Sequence, residues 1–241
     1  MEILQLSIEK LSNAMRIYAE NSENFHRLRL IDEEEAINNL DRAFEAKLEA
    51  FHSLYDVSKK YVSYFDYADT NLLIVLRNAI HHRNHLLFRS WNSEMHLNGG
   101  MKKMSGALFL LVNHEIKDAI KISQYYYKLD DILDRLDESR NSPYIAGKMT
   151  RDQRLASLNL TLEGLGINSV IHKRKTEGFP SSQVYINIIP IYISAIQRVF
   201  NILSKLDLNI KGFDSDVYLK HFTELPNIDL NYLTYKELRL P

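Results

Sequence analysis

Eight glycines and five prolines are all that punctuate 241 residues, and between them apolar side chains return at helical steps. A chain with so few breakers and a period near 3.6 is directed towards long helices. Ile3, Leu6, Leu11, Met15 and Tyr18 recur at three-, four- and five-residue intervals, which predicts a helix from Glu2 to about Asn24. Asp32 followed by Glu35 is a capping pair for a second helix reaching about Tyr61. Its stripe is Ile37, Leu40, Phe44, Leu48, Phe51 and Tyr55. Asp69 or Thr70 caps a third helix, from Asn71 to about Trp91.

HLNGGMKKMSG, from His96 to Gly106, reads as a loop broken at Gly99-Gly100. ALFLLVN after it fits either a short strand or the first turns of a buried helix. Glu115 to Ser139 reads as a fourth long helix, with Ile116, Ala119, Ile122, Tyr126, Leu129, Leu133 and Leu136 on one face. NSPYIAGK, around Pro143, marks a boundary. Further helices are expected near Thr150–Leu162, Ser181–Leu206 and Ser215–Thr223, with Pro190 kinking the middle one or marking its true start. The expected fold is therefore all-α. A helical bundle is expected over residues 1–140, with residues 141–241 either an appended helical section packed on it or part of one continuous domain.

Composition removes several function classes. Lys and Arg number 30 against 31 Asp and Glu, so the net charge is −1 and no basic surplus draws the chain to nucleic acid non-specifically. With no cysteine, disulfides and thiolate metal sites are excluded, and a reducing, cytoplasmic location is the expectation. MEILQLSIEK lacks the pattern of a signal peptide, and no apolar stretch has the length of a membrane span. No nucleotide-binding loop, dinucleotide fingerprint or Ser/His/Asp pattern is present.

The densest chemistry lies in LRNAIHHRNHLLFR, Leu76 to Arg89, where three of the nine histidines fall within five positions. On a helix turning about 100° per residue, Leu72, Val75, Leu76, Ala79, Ile80, Leu86 and Leu87 share one side. Arg77, Asn78, His81, His82, Asn84 and His85 take the opposite arc. Arg83 falls on the apolar side, where it either snorkels to water or meets a subunit interface.

Three readings fit that arc. One is a solvated helix face, the default for a polar arc. Another is a metal site on His81 and His85 at i, i+4, but a third ligand is wanting: His52 and the His114-Glu115 pair lie at no recognisable spacing. The third is catalysis on RNA. Arg77-Asn78-Ala79-Ile80-His81-His82, preceded by the apolar run LLIVL, resembles the signature of the HEPN superfamily (higher eukaryotes and prokaryotes nucleotide-binding): Arg, very often Asn, then His after four to six residues.

That resemblance implies an α-helical bundle and a metal-independent endoribonuclease, of a kind found among toxins and phage-defence effectors. It assigns catalysis to Arg77 and His82, with Asn78 positioning the pair or the phosphate, and needs no cofactor and no metal. Because one histidine does not easily serve as both base and acid, a homodimer uniting two Arg-His pairs is implied, or local help from His81 or His85. An antitoxin or regulatory protein is a further implied partner. The alternative is a non-catalytic helical module that binds a nucleotide, RNA or protein. Elsewhere, HKRK (His172–Lys175) reads as a solvated helix end, the tyrosines of YYY (Tyr125–Tyr127) point three ways, and DDILDRLDE (Asp130–Glu138) reads as a solvated acidic face.

Overall fold

Periodicity alone carries the N-terminal region into two long helices, and the computed structural model, which describes residues 2–81, 87–117, 123–206, 208, 213–224 and 227–241, shows them. The helices are α1 (Glu2–Arg29), α2 (Glu33–Ser58), α3 (Ala68–His81), α4 (Gly100–Lys103), α5 (Leu129–Leu136), α6 (Arg151–Gly164), α7 (Ile167–Glu177), α8 (Ile188–Leu203) and α9 (Phe213–Glu224). The strands are β1 (Leu108–Lys117), β2 (Tyr126–Lys128), β3 (Val184–Asn187) and β4 (Asn227–Arg239). No described helix is long and apolar enough to cross a membrane.

The chain divides into two units. The first joins Met1–Tyr64 to Ile193–Pro226, the second Phe65–Tyr192 to Asn227–Pro241. In the first unit, α1 and α2 form a hairpin. Asp32 caps α2 as its sequence promised, accepting the Glu35 N–H at 2.8 Å. Ile8, Leu11, Met15 and Tyr18 of α1 are buried, as are Ile37, Leu40, Phe44, Leu48 and Phe51 of α2. Each such side chain contributes about 1.5–3 kcal/mol by leaving water. Ile3 and Leu6, expected on the stripe, are 68% and 56% exposed, and Leu4 is buried in their place. Between the helices Tyr18 meets Phe44 edge-on at 5.8 Å, and the buried Lys47 ammonium sits 3.5 Å from the Tyr18 ring centroid.

The second unit overturns the all-α expectation. Its four strands form one mixed sheet in the order β2-β3-β1-β4. β1 pairs in parallel with β3, and antiparallel with β4 from Leu108↔Arg239 to Lys117↔Asn227, with a register shift between His114 and Glu115. The long helix expected over Glu115–Ser139 is absent in its described parts. Glu115–Lys117 ends β1, Tyr126–Lys128 is β2, and only Leu129–Leu136 is α-helical. The helix expected from Ser181 begins at Ile188, after β3, so Pro190 does mark a true start, in the first turn where its missing N–H costs nothing.

The physical reason lies in faces that a single window does not reveal. Phe109, Leu111 and Asn113 alternate along β1, and Leu111 stands beside Tyr185 of β3, which stands beside Lys128 of β2. This face is buried against Met95 and Leu240, with Trp91, Met101 and Met104 packed on it. Its far end is polar. Asn113 Oδ1 accepts from the Tyr126 hydroxyl at 3.0 Å and from Asn187 Nδ2 at 2.9 Å. Asn187 Oδ1 in turn accepts the Tyr125 and Ile189 N–H groups, tying β2 to the start of α8. On the helical side, Asn71 of α3 donates to the Ser157 hydroxyl of α6 at 2.7 Å. A Cβ at Gly164 would come within 2.6 Å of the Ala68 side chain, so only glycine permits that approach.

Candidate functional site

The third helix begins at Ala68, three residues before the expected Asn71, so Asp69 and Thr70 lie inside its first turn rather than ahead of it. Every residue from Ala68 to Leu76 is buried, polar ones included. Asp69 Oδ1 accepts the Thr70 N–H at 2.8 Å, and the Thr70 hydroxyl donates to the Tyr67 carbonyl at 3.3 Å. This is a helix enclosed on all sides over its first two turns, not the one-sided amphipathic helix the wheel describes.

It opens at its last turn. Arg77 and Asn78 are half-buried, Ala79 is buried, Ile80 is half-buried and His81 is exposed. Arg77 Nη1 donates to Asn78 Oδ1 at 3.2 Å. That bond occupies the amide oxygen of Asn78, and the amide's own N–H groups are donors by nature. Arg77 and His81, one turn apart, lie on the same helix face. His82 and His85, with Arg83, Asn84 and Leu86, lie outside the described residues. Of the five expected site residues the structure describes Arg77, Asn78 and His81 on the last turn of α3, with a bond shown between the first two.

The chain continues at Leu87, and residues 87–90 are not helical, so the helix does not run unbroken to Trp91. Phe88 adopts φ of +60°, a left-handed conformation unusual for a bulky residue. Two contacts hold it there. Its N–H donates to Asp131 Oδ2 at 2.9 Å, and its buried ring meets Tyr127 edge-on at 5.3 Å. Next, Ser90 Oγ accepts the Ser93 N–H, opening a short π-helical turn over Ser93–Leu97 that carries Glu94. Arg89 lies 3.9 Å from Glu94. The half-buried Trp91 indole stands edge-on to Tyr185 at 4.8 Å and to Phe109 at 5.0 Å.

Trp91 and Phe109 flank the Tyr185 ring. It is fully buried, and its hydroxyl has no hydrogen-bond partner among the described residues. Lys128 Nζ lies 5.9 Å from its centroid. Burial first, then the charges of Glu94 and Asp131, push the phenol's pKa upward. Asp131, in the first turn of α5, is raised from 3.8 to about 6. Desolvation is the main cause and Asp130 and Asp134 add to it, against the Phe88 N–H and Lys128, which favour the charge.

The sequence offered no local signal for Phe88, Glu94, Trp91, Asp131 or Tyr185 as a group. Asp131 sat within a supposed solvated acidic face, and Tyr185 within a supposed helix. The other histidines singled out are engaged elsewhere: buried His114 bonds the Leu165 carbonyl through Nε2 at 3.0 Å, and His52 lies 3.3 Å from Asp56. Among the described residues no group of three or more His, Asp or Glu side chains is placed to hold a metal ion. HKRK forms the last turns of α7, with Lys173 paired to Glu177. No family model, no curated protein and no solved structure matches this chain.

Proposed function

We propose that this chain is a metal-independent endoribonuclease whose site is built on the end of α3, with Arg77, Asn78 and His82 in the working roles. One observation carries the reading. Every residue of α3 is buried up to Leu76, and the helix first meets solvent at Arg77 and Asn78, which are bonded to one another and followed by an exposed histidine. A helix enclosed this way is a rigid mount, and a rigid mount suits side chains that must meet a phosphate in one geometry. The four-stranded sheet is foreign to the helical bundle that the HEPN resemblance implies. The reading therefore stands on the helix end rather than on the fold.

In the reaction, the substrate's 2′-oxygen attacks the adjacent phosphorus as a histidine takes its proton, and imidazole suits that task because it titrates near neutrality. The bond from phosphorus to the 5′-oxygen breaks, and that oxygen receives a proton. Products are a 2′,3′-cyclic phosphate and a 5′-hydroxyl. The Arg77 guanidinium supplies permanent charge and a fork matched to the phosphate oxygens, while Asn78 fixes it through the 3.2 Å bond.

The test is cleavage of a mixed-sequence RNA with EDTA present. Wild type is expected to cut, and Arg77→Ala and His82→Ala to fall by about 100-fold or more, the scale of losing one transition-state donor. Equal cleavage by folded variants and wild type, or none by folded wild type, sinks the proposal and leaves a non-catalytic binding module in its place.

A further inference from the structure

β4 is the longest described strand and lies at the edge of the sheet, paired on one side with β1 and on the other with no described strand. From Leu233 to Arg239 its register against β1 is unbroken, and the shift lies past Leu233. The Leu240 N–H donates to the Ala107 carbonyl at 3.0 Å, which sets the phase of the ladder. Along an antiparallel strand, successive residues alternate between turning their backbone groups to the partner and turning them away. Thr234, Lys236 and Leu238 therefore face β1, as Leu240 does, while Tyr235, Glu237 and Arg239 present N–H and C=O groups outward. The side chains of Thr234, Lys236, Glu237 and Arg239 are exposed, so this stretch is open to water. An open, regular edge is a template for a further strand.

We propose that β4 pairs with β4 of a second copy of this chain, antiparallel about a two-fold axis at Leu238, joining the two sheets edge to edge. The inference goes beyond the ribonuclease reading and does not rest on it. Charge selects the occupant. Residues directly opposite in an antiparallel pair share a face, and a two-fold axis sets each residue against the one equally far beyond the axis. An axis at Lys236, Glu237 or Arg239 sets that charge against its own copy. An axis at Tyr235 leaves all three facing uncharged residues. Only an axis at Leu238 sets Glu237 against the partner's Arg239, and Arg239 against the partner's Glu237. Both residues have outward backbone groups, so the same register makes each a hydrogen-bonded pair, with N–H···O=C bonds running both ways. Leu238 meets its own copy on the other face, where it already packs against the buried cluster of Phe109, Leu111 and Leu240. Lys236 stays roughly 14 Å from its own copy, beyond the Debye length of about 8 Å at physiological salt. The two charges are available for the pairing. Glu237 makes no ion pair among the described residues, and Arg239 spends one of its N–H groups on the Gly106 carbonyl at 3.2 Å.

The experiment is sedimentation equilibrium of the full chain over roughly 1–100 μM, for wild type, Glu237→Arg, Arg239→Glu and the double swap. Wild type is expected to dimerise reversibly with a dissociation constant on the order of 10 μM, as suits an interface of one strand pair, smaller than that of a permanent dimer. By symmetry each single reversal turns both cross-strand pairs into like charges, and is expected to weaken the dimer about tenfold. The double swap restores opposite charges in the same register and is expected to return the constant to within about threefold of wild type. These side chains are exposed, so melting temperatures are expected to be unchanged, which separates dissociation from misfolding. A wild type that is monomeric throughout overturns the proposal and leaves the edge to an extended peptide of another protein. Association that ignores the single reversals, or that the double swap fails to restore, overturns it as well, because the contact then lies in another register or on another surface.

Discussion

The α1–α2 hairpin and the β1–β4 ladder are both extended contacts, and they are assembled from different distances along the chain. Three residues separate α1 from α2, so each turn of one helix meets a near neighbour of the other. β1 takes its partners from Asn227–Arg239, beyond five intervening helices and two strands. Local contacts close cheaply, while the ladder bears the loop-closure entropy of everything in between. The hairpin can therefore be secured by periodicity and a cap. The ladder must be secured by the apolar content of β1 itself, where Phe109, Leu110 and Val112 are fully buried.

The harshest way to break that contrast is a charge at its centre. Val112→Asp is expected to unfold the sheet, because an unpaired buried carboxylate outweighs the stability of an ordinary domain. Hydrogen exchange should rise across Leu108–Lys117 and Asn227–Arg239 while α1 and α2 stay protected. Simultaneous loss of protection in the hairpin would show that the two regions are one cooperative unit.

Phe44→Ala addresses the other side. Phe44 is fully buried against Tyr18, so the cavity should cost about 3–5 kcal/mol in urea unfolding followed by circular dichroism. A loss well under 1 kcal/mol would mean that the hairpin interface repacks freely, contrary to its edge-on aromatic geometry.

A third test turns on acid. Asp131 has a folded pKa of about 6 against 3.8 ordinarily, so between those values the folded state holds a proton that the unfolded state lacks. Its contribution is present below pH 3.8 and is lost as pH rises through about 6, worth up to about 3 kcal/mol between the limits. Lys128, Asp130 and Asp134 share that field, with Arg140 bound to Asp130 and Asp134. Asp131→Asn keeps an acceptor for the Phe88 N–H and should flatten this part of the profile, raising stability at pH 7. His114 acts with the opposite sign. Burial lowers its pKa below 6.5, so its contribution is present above that value and lost as pH falls. Parallel pH profiles for wild type and Asp131→Asn would show that Asp131 is better solvated than its surroundings imply.

The smallest effect is at the α2 cap. Asp32→Ala should remove about 1 kcal/mol, read as an earlier helical melt, with the sheet unaffected. No change would mean that water replaces the Asp32–Glu35 bond without penalty.

These contrasts explain what the sequence could disclose. Asp32 with Glu35, the stripe from Ile37 to Phe51, and the start marked by Pro190 are signals written within one or two helical turns, and each has its structural counterpart. β1 was open to either reading because LFLLV is short and apolar throughout, and its partners lie at Val184–Ile186 and near the far end of the chain. Tyr126, Leu129, Leu133 and Leu136 keep helical spacing although Tyr126 is in β2 and the others are in α5. The period runs across a strand–helix junction by coincidence of burial. The grouping of Arg77, Asn78 and His81 on one helix end was legible because they fall within five residues of each other. Asp131 and Tyr185 were not, because Phe88 and Trp91, which they meet, lie far from them along the chain.

The β1–β4 pairing also has a consequence in time. A ribosome adds about 5–20 residues per second, so β1 emerges many seconds before β4 exists to cover it. Throughout that interval the edge from Leu108 to Val112 offers unpaired backbone to any neighbouring strand, including one on another nascent copy. Expression yield should therefore respond to growth temperature and to holdase chaperones more steeply than the stability of the finished molecule suggests.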